Sequence, residues 1–346
     1  MESFLLHNSD VFESLVLGAL NQMDRSMLAR VSKTCAAALA EHVAPGVPFV
    51  INAFLHTTQH ALWAVDQGCP LHIKMSAHAA SHGNLGVLKY LHSINCPWNA
   101  TTCDDAARNG HLDALKWVRK MECPWDEMTC AFAAEGGHLD VLVWAVDNGC
   151  RMDVETCKAA VEAGRLDVLR WARARGCPWD SKTYDVACAV GDMKIIIWLE
   201  ENKCPFEKTG FKTAAMYGHL HVIQFLVPLY PREFDRADDL PMFAALNGHL
   251  DVLVWIVDEG TGYVSDSIFF FAVQGGNLDV LDFLWSLQMP DAEFDEFTTK
   301  AGAEAGLPVL KWLRSKGCAW DASSIIADAA RKGDIEMVKW VRANRG

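Results

Sequence analysis

No apolar run in this 346-residue chain reaches the roughly 18 residues of a membrane-spanning helix, so no helical membrane span is expected. Positive charge is also scarce: 31 Lys and Arg stand against 44 Asp and Glu, for a net charge of −13. Phosphate neutralisation dominates nucleic-acid affinity, so this balance argues against DNA or RNA as a partner. There is no glycine-rich phosphate loop, no nucleophile elbow and no residue set spaced for catalysis. Neither an enzyme activity nor a cofactor is expected. The opening MESFLLHNSD puts acid where a secretory signal carries base. These absences together predict a soluble intracellular protein, cytoplasmic or nuclear, whose 12 cysteines stay thiols. A hydrophobic content of 51% excludes disorder and permits a large core.

Repetition is abundant instead. CPWDEMTCAFAAEGGHLDVLVW (Cys123 to Trp144) follows CPWNATTCDDAARNGHLDALKW (Cys96 to Trp117) and precedes CRMDVETCKAAVEAGRLDVLRW (Cys150 to Trp171). The leading cysteines Cys69, Cys96, Cys123, Cys150, Cys177 and Cys204 are each 27 residues apart. Gly83, Gly110, Gly137, Gly164, Gly191 and Gly218 keep the same step, then Gly248, Gly276, Gly306 and Gly333 continue it more loosely. A fixed period of this length marks a repeat array and outranks any local motif.

Within one copy, Asn99 is placed to cap a short helix, with Asp126, Asp153, Asp180 and Asp321 in the same slot. Paired alanines (Ala106/Ala107, Ala133/Ala134, Ala329/Ala330) invite close helix approach. Gly110 then ends the first helix. A second helix is predicted over Leu112 to about Lys120, with Leu112, Leu115, Trp117 and Val118 at helical spacing. The Cys-Pro-Trp turn stops it. Each copy is thus a helical hairpin whose apolar side only a stacked neighbour can cover. Trp63, Trp117, Trp144, Trp171, Trp198, Trp255, Trp312 and Trp340 share one position of the second helix and are expected in the packing core.

The blocks Gly137-His138-Leu139-Asp140-Val141-Leu142 and Gly248-His249-Leu250-Asp251-Val252-Leu253 resemble the ankyrin repeat family, over residues 51–346. Most copies are 27 residues long rather than the family's ~33. The turn is therefore too short for the projecting β-hairpin finger. The expected fold is all-α: a helical-hairpin repeat solenoid, ankyrin-like with its fingers shortened, plus a small N-terminal helical module. The resemblance implies a protein target on the concave face, held by residues just before the GH glycine. Here these are Arg108, Asn109, Glu135, Glu162, Met216, Tyr217, Leu246, Asn247, Gln274 and Arg331.

Cys96/Cys103, Cys123/Cys130 and Cys150/Cys157, followed by His111 and His138, raise the alternative of zinc. Equivalent residues of stacked hairpins lie about 8–10 Å apart, too far to share an ion. No metal is expected. The histidines read as cap or packing residues, and Asp113 and Asp140 suit the helix dipole.

Residues 1–50 do not repeat. A capped apolar helix with Phe12 and Leu15, a polar turn at Asn21–Arg25, and Leu28-Ala29-Arg30-Val31-Ser32-Lys33-Thr34-Cys35 resemble an F-box. That module docks onto the Skp-type adaptor of cullin–RING ubiquitin ligases. The usual Leu-Pro opening and the following tryptophan are absent. The resemblance implies a substrate-recruiting adaptor with Phe12, Leu15, Leu28 and Val31 as docking face. The same residues also suit a hydrophobic end-cap on a scaffold with no ligase link. F-box/ankyrin chains of this kind are similar to proteins of large DNA viruses and protists, which implies a host-directed role.

Overall fold

The computed structural model describes residues 71–258, 266–287 and 296–344. The N-terminal module, with Phe12, Leu15, Leu28 and Val31, the boundary near residue 50, and the acidic loop at Asp291 lie outside them. No strand occurs among the described residues. The chain divides into two compact units at Pro178/Trp179.

Four hairpins lie in the first unit: α1 (Ile73–Ser81) with α2 (Leu85–Ser93), α3 (Ala100–Arg108) with α4 (Leu112–Lys120), α5 (Glu127–Gly136) with α6 (Leu139–Asp147), and α7 (Val154–Glu162) with α8 (Leu166–Ala174). The second unit pairs α9 (Ser181–Val190) with α10 (Met193–Glu201) and α11 (Thr209–Met216) with α12 (Leu220–Leu226). The short α13 (Pro231–Phe234) follows. Then come α14 (Leu240–Leu246) with α15 (Leu250–Asp258), α16 (Asp266–Gly275) with α17 (Leu278–Ser286), α18 (Glu296–Ala305) with α19 (Leu307–Ser315), and α20 (Ala322–Lys332) with α21 (Ile335–Ala343). These units are repeated helical hairpins, as the period implies. The polar segment before Leu240 folds as a helical turn whose Phe234 packs on Phe211 at 5.3 Å between ring centres.

Local signals set the hairpins. Asn99, Asp126, Asp153, Asp180 and Asp321 each cap a first helix, accepting from backbone N–H groups of its first turn. Each leading thiol closes the hairpin onto its own start. Sγ of Cys96, Cys123, Cys150, Cys177 and Cys204 donates to the carbonyl of the residue 24 positions earlier, at 3.1–3.7 Å. That residue is the N-cap of the first helix, so the cysteine column is accounted for by packing.

Between neighbouring hairpins the first helices meet along their alanines. Ala106, Ala107, Ala133 and Ala134 are fully buried. Gly136 lets α5 approach α3, because a Cβ there would strike the Arg108 carbonyl oxygen. Thr129 Oγ1 donates to the buried Asp104 carboxylate at 2.6 Å across the same seam. The GH histidines do not cap their helices. Each instead lays its ring over the glycine of the preceding hairpin: His138 over Gly110, whose φ of +75° and lack of a Cβ are both required. His111, His219 and His249 also reach back with Nε2 to the carbonyls of Ser81, Ala189 and Met216, at 2.8–3.0 Å.

The tryptophan column is a correction. Trp117, Trp144, Trp171, Trp198, Trp255 and Trp340 are half-buried, and only Trp312 of the described members is buried. The covered face of a second helix consists of its neighbours, such as Ala114, Leu115 and Val118 or Val141, Leu142 and Ala145. The column sits at the edge of that face, where the turn tryptophan of the same repeat covers it edge-on. The pairs are Trp98–Trp117, Trp125–Trp144, Trp179–Trp198 and Trp320–Trp340, with centroids 5.7–6.1 Å apart. Arg119 and Arg314 stack on Trp125 and Trp320 at 4.2 and 4.5 Å, and each donates to the nearby cysteine carbonyl.

A second correction concerns Gly306. It is the N-cap of α19, so it stands where other copies carry histidine rather than glycine.

Candidate functional site

The ten sequence-selected positions gather at one place in each hairpin, the C-terminal end of the first helix. There the chain turns through a left-handed glycine, and backbone groups stop pairing within the helix. Arg108, Asn109, Glu135 and Glu162 belong to the first unit; Met216, Tyr217, Leu246, Asn247, Gln274 and Arg331 belong to the second.

In the first unit the structure brings two of them together. Arg108 Nη2 lies 3.1 Å from Glu135 Oε2, with its guanidinium 4.0 Å over the Phe132 ring. Asn109 is turned inward, donating from Nδ2 to the Asp105 carbonyl at 2.8 Å. Glu162 is exposed. In the second unit Asn247 likewise donates to the Phe243 carbonyl at 2.9 Å, and Arg331 pairs with Asp328 at 2.6 Å. Met216 and Leu246 are half-buried and Gln274 is exposed. Tyr217, the one aromatic among the ten, is 55% exposed beside the fully buried Ala214 and Ala215.

Phe132 belongs to this edge and escaped the sequence selection. Phe132 precedes Glu135 by three residues and so shares its helix face. Its slot varies between copies as much as the selected one, which is the signal that would have found it.

Burial pushes the Cys188 thiol up and holds Cys318 at about 11, so both stay protonated and poorly nucleophilic. A hydrogen bond to Cys123, then burial, raises Cys103 as well. Among the described residues no three His, Cys, Asp or Glu side chains converge as metal ligands. None of the described helices is long and apolar enough to cross a membrane. Burial lifts the Asp104 carboxyl to about 6, against the donation from Thr129.

No family model and no curated protein matches this chain. Among solved structures, the human ASB11 ankyrin repeat domain is similar over 61% of this chain and 95% of its own, at 16% identity and a TM-score of 0.33. The maize pentatricopeptide repeat protein PPR10 is similar over 94% of this chain and 59% of its own, at 13% identity and a TM-score of 0.35. PPR10 in complex with an 18-nt psaJ RNA element gives 99% and 65% coverage, 12% identity and a TM-score of 0.31. This chain spans about three fifths of the PPR10 length. The expectation that nucleic acid is not a partner rests on the charge balance alone.

Proposed function

We propose that this chain is a non-enzymatic protein-binding repeat module of ankyrin type, which holds its target on the ends of the first helices. One observation carries the reading: Tyr217 stands 55% exposed on a frame of fully buried alanines. A rigid frame that presents differing side chains from copy to copy suits recognition, because the exposed groups are free of packing duty. The excess of acid favours a protein over RNA. The test is affinity purification with mass spectrometry, then Tyr217→Ala on the partner found. Loss of partner at an unchanged melting temperature supports the reading. Unchanged affinity moves the site elsewhere, and saturable binding of a single-stranded RNA at physiological salt would replace the partner class.

The finer reading is a substrate-recruiting adaptor for a cullin–RING ubiquitin ligase, motivated by the order of residues in the first fifty. Phe12, Leu15, Leu28 and Val31 are then the docking face for a Skp-type adaptor. Full-length protein should co-purify with that adaptor, and deletion of residues 1–45 should abolish binding while leaving the array folded. Failure to co-purify, with the array destabilised by the deletion, leaves a scaffold or host-directed interaction protein with an end-capped array.

A further inference from the structure

Packing accounts for the leading cysteines but not for a second set that faces them. In three consecutive hairpins of the first unit, a cysteine on the first helix meets the cysteine that closes the hairpin: Cys103 with Cys123, Cys130 with Cys150, and Cys157 with Cys177. The two thiols of each pair are buried and hydrogen-bonded to one another. Other copies fill the first-helix position without sulfur. Ser76 stands there in one, its Oγ donating to Cys96 Sγ at 3.7 Å, and Tyr184 in another. The fold itself therefore does not require a thiol pair.

The three pairs differ in what surrounds the closing sulfur. Arg119 and Arg173 donate from Nη1 to the carbonyls of Cys123 and Cys177, which sets a guanidinium beside each of these cysteines. Thr102 and Thr156, just before Cys103 and Cys157, are fully buried, and their hydroxyls have no hydrogen-bond partner among the described residues. The Thr102 hydroxyl faces the Cys123 sulfur and can donate to it once that sulfur is ionised. The middle pair has neither feature: Val146 replaces the arginine, and Thr129 is taken by Asp104. A hydrogen bond from Cys103 holds the Cys123 thiol below the ordinary thiol range against burial, and Arg119 adds to it. At Cys150 the bond from Cys130 works against burial and against the carboxylates Asp126 and Glu127.

We propose that hydrogen peroxide oxidises Cys103/Cys123 and Cys157/Cys177 to disulfides, each within its own hairpin, ahead of Cys130/Cys150. The closing cysteine acts as thiolate and attacks one peroxide oxygen. The O–O bond breaks, the sulfur becomes a sulfenic acid, and the released hydroxide takes the thiol's proton as water. The first-helix thiol then attacks the sulfenic sulfur. The S–S bond forms, the S–O bond breaks, and the hydroxyl leaves with the second thiol's proton as another water. Two thiols and one peroxide thus give one disulfide and two waters. Burial selects the oxidant. Cys123 and Cys177 are at most 1% exposed, so a bulky disulfide cannot reach them, whereas hydrogen peroxide is close to water in size.

The test exposes the full chain to hydrogen peroxide, blocks remaining thiols by alkylation at intervals, and maps unreduced peptides by mass spectrometry. Circular dichroism follows the helices in parallel. Peptides linked through Cys103–Cys123 and Cys157–Cys177 should accumulate several-fold faster than those linked through Cys130–Cys150, at an unchanged helical signal, and a reductant should restore the thiols. Cys103→Ser repeats the Ser76/Cys96 arrangement that the fold already holds. In that variant Cys123 should stop at the sulfenic acid and be trapped by dimedone. Sulfoxide at the exposed Met128 shows that the oxidant has acted. Thiols that persist at both favoured pairs after Met128 is oxidised overturn the proposal. So do equal rates at all three pairs, links between different hairpins, or disulfides that appear only as the helical signal is lost.

Discussion

The α3–α6 pair of hairpins and the terminal hairpin α20–α21 have the same internal design and different seams. Both have an acidic cap, Asp126 and Asp321, a left-handed glycine after the first helix, and a tryptophan pair across the turn. At the α3–α5 seam, buried alanines, Gly136, the Asp104–Thr129 bond and His138 close the contact. At the last seam Ala330 is exposed, and Thr299 and Ile325 stand where Asp104 and Thr129 would be. Lys332 and Asp334 replace the glycine and the histidine. A hairpin and its stacking are therefore specified by separate residues, and a copy can keep the first set while losing the second.

The largest expected effect lies in the shared core of the interior hairpins. Leu142→Ala should cost about 2–5 kcal/mol, because Leu142 is fully buried. Trp144→Ala should cost less than Leu142→Ala in the same chemical denaturation series, since Trp144 is an edge residue. The reverse order would return the tryptophan column to the core.

Exchanging the seams sharpens the contrast. Gly136→Lys should destabilise by about 1–3 kcal/mol or more, since the side chain must push α5 off the Arg108 carbonyl. Lys332→Gly should stay within about 1 kcal/mol of wild type, the helix cost of glycine alone, because no close approach exists there to lose. Equal losses measured by melting would mean that the two seams do not differ.

Breaking a single inter-hairpin bond is smaller. His111→Ala removes the donor to the Ser81 carbonyl and should cost about 1–2 kcal/mol. The caps should show no contrast at all: Asp126→Ala and Asp321→Ala should each cost about 1 kcal/mol, because both hairpins are capped alike.

Asp104 gives the α3–α5 seam a pH dependence, and Thr299 stands at its place in the last seam. Its carboxyl titrates near 6 in the folded chain against 3.8 ordinarily, so the native state holds the proton longer than the unfolded one. The stability linked to it is full below about pH 4 and is lost as pH rises through about 6. Asp104→Asn should flatten the fall in melting temperature between pH 4 and 7. A slope identical to wild type would show that Asp104 ionises freely.

Much of the hairpin was legible in the residues. α4 covers the predicted Leu112 to Lys120, and the five predicted cap residues all cap. Such features depend on neighbours a few positions away, so a one-dimensional pattern contains them. The candidate edge was legible as a place, the end of each first helix. Which members are free was not: Asn109 and Asn247 serve their own helices, and Arg108 serves Glu135.

By itself the sequence determined the all-helical hairpin, its length, its caps and its repetition, because periodicity, capping side chains, glycine and proline act locally. Only the tertiary structure decided which side of the second helix is core. Trp117 and Val118 are adjacent and both apolar, and the approach of the neighbouring hairpin buries one and leaves the other at the edge. It also decided that the GH histidines lie over the preceding glycine, and that the last seam stays open. Those outcomes depend on contacts between residues of different hairpins, such as Gly136 against the Arg108 carbonyl and His138 over Gly110, that the local pattern does not encode.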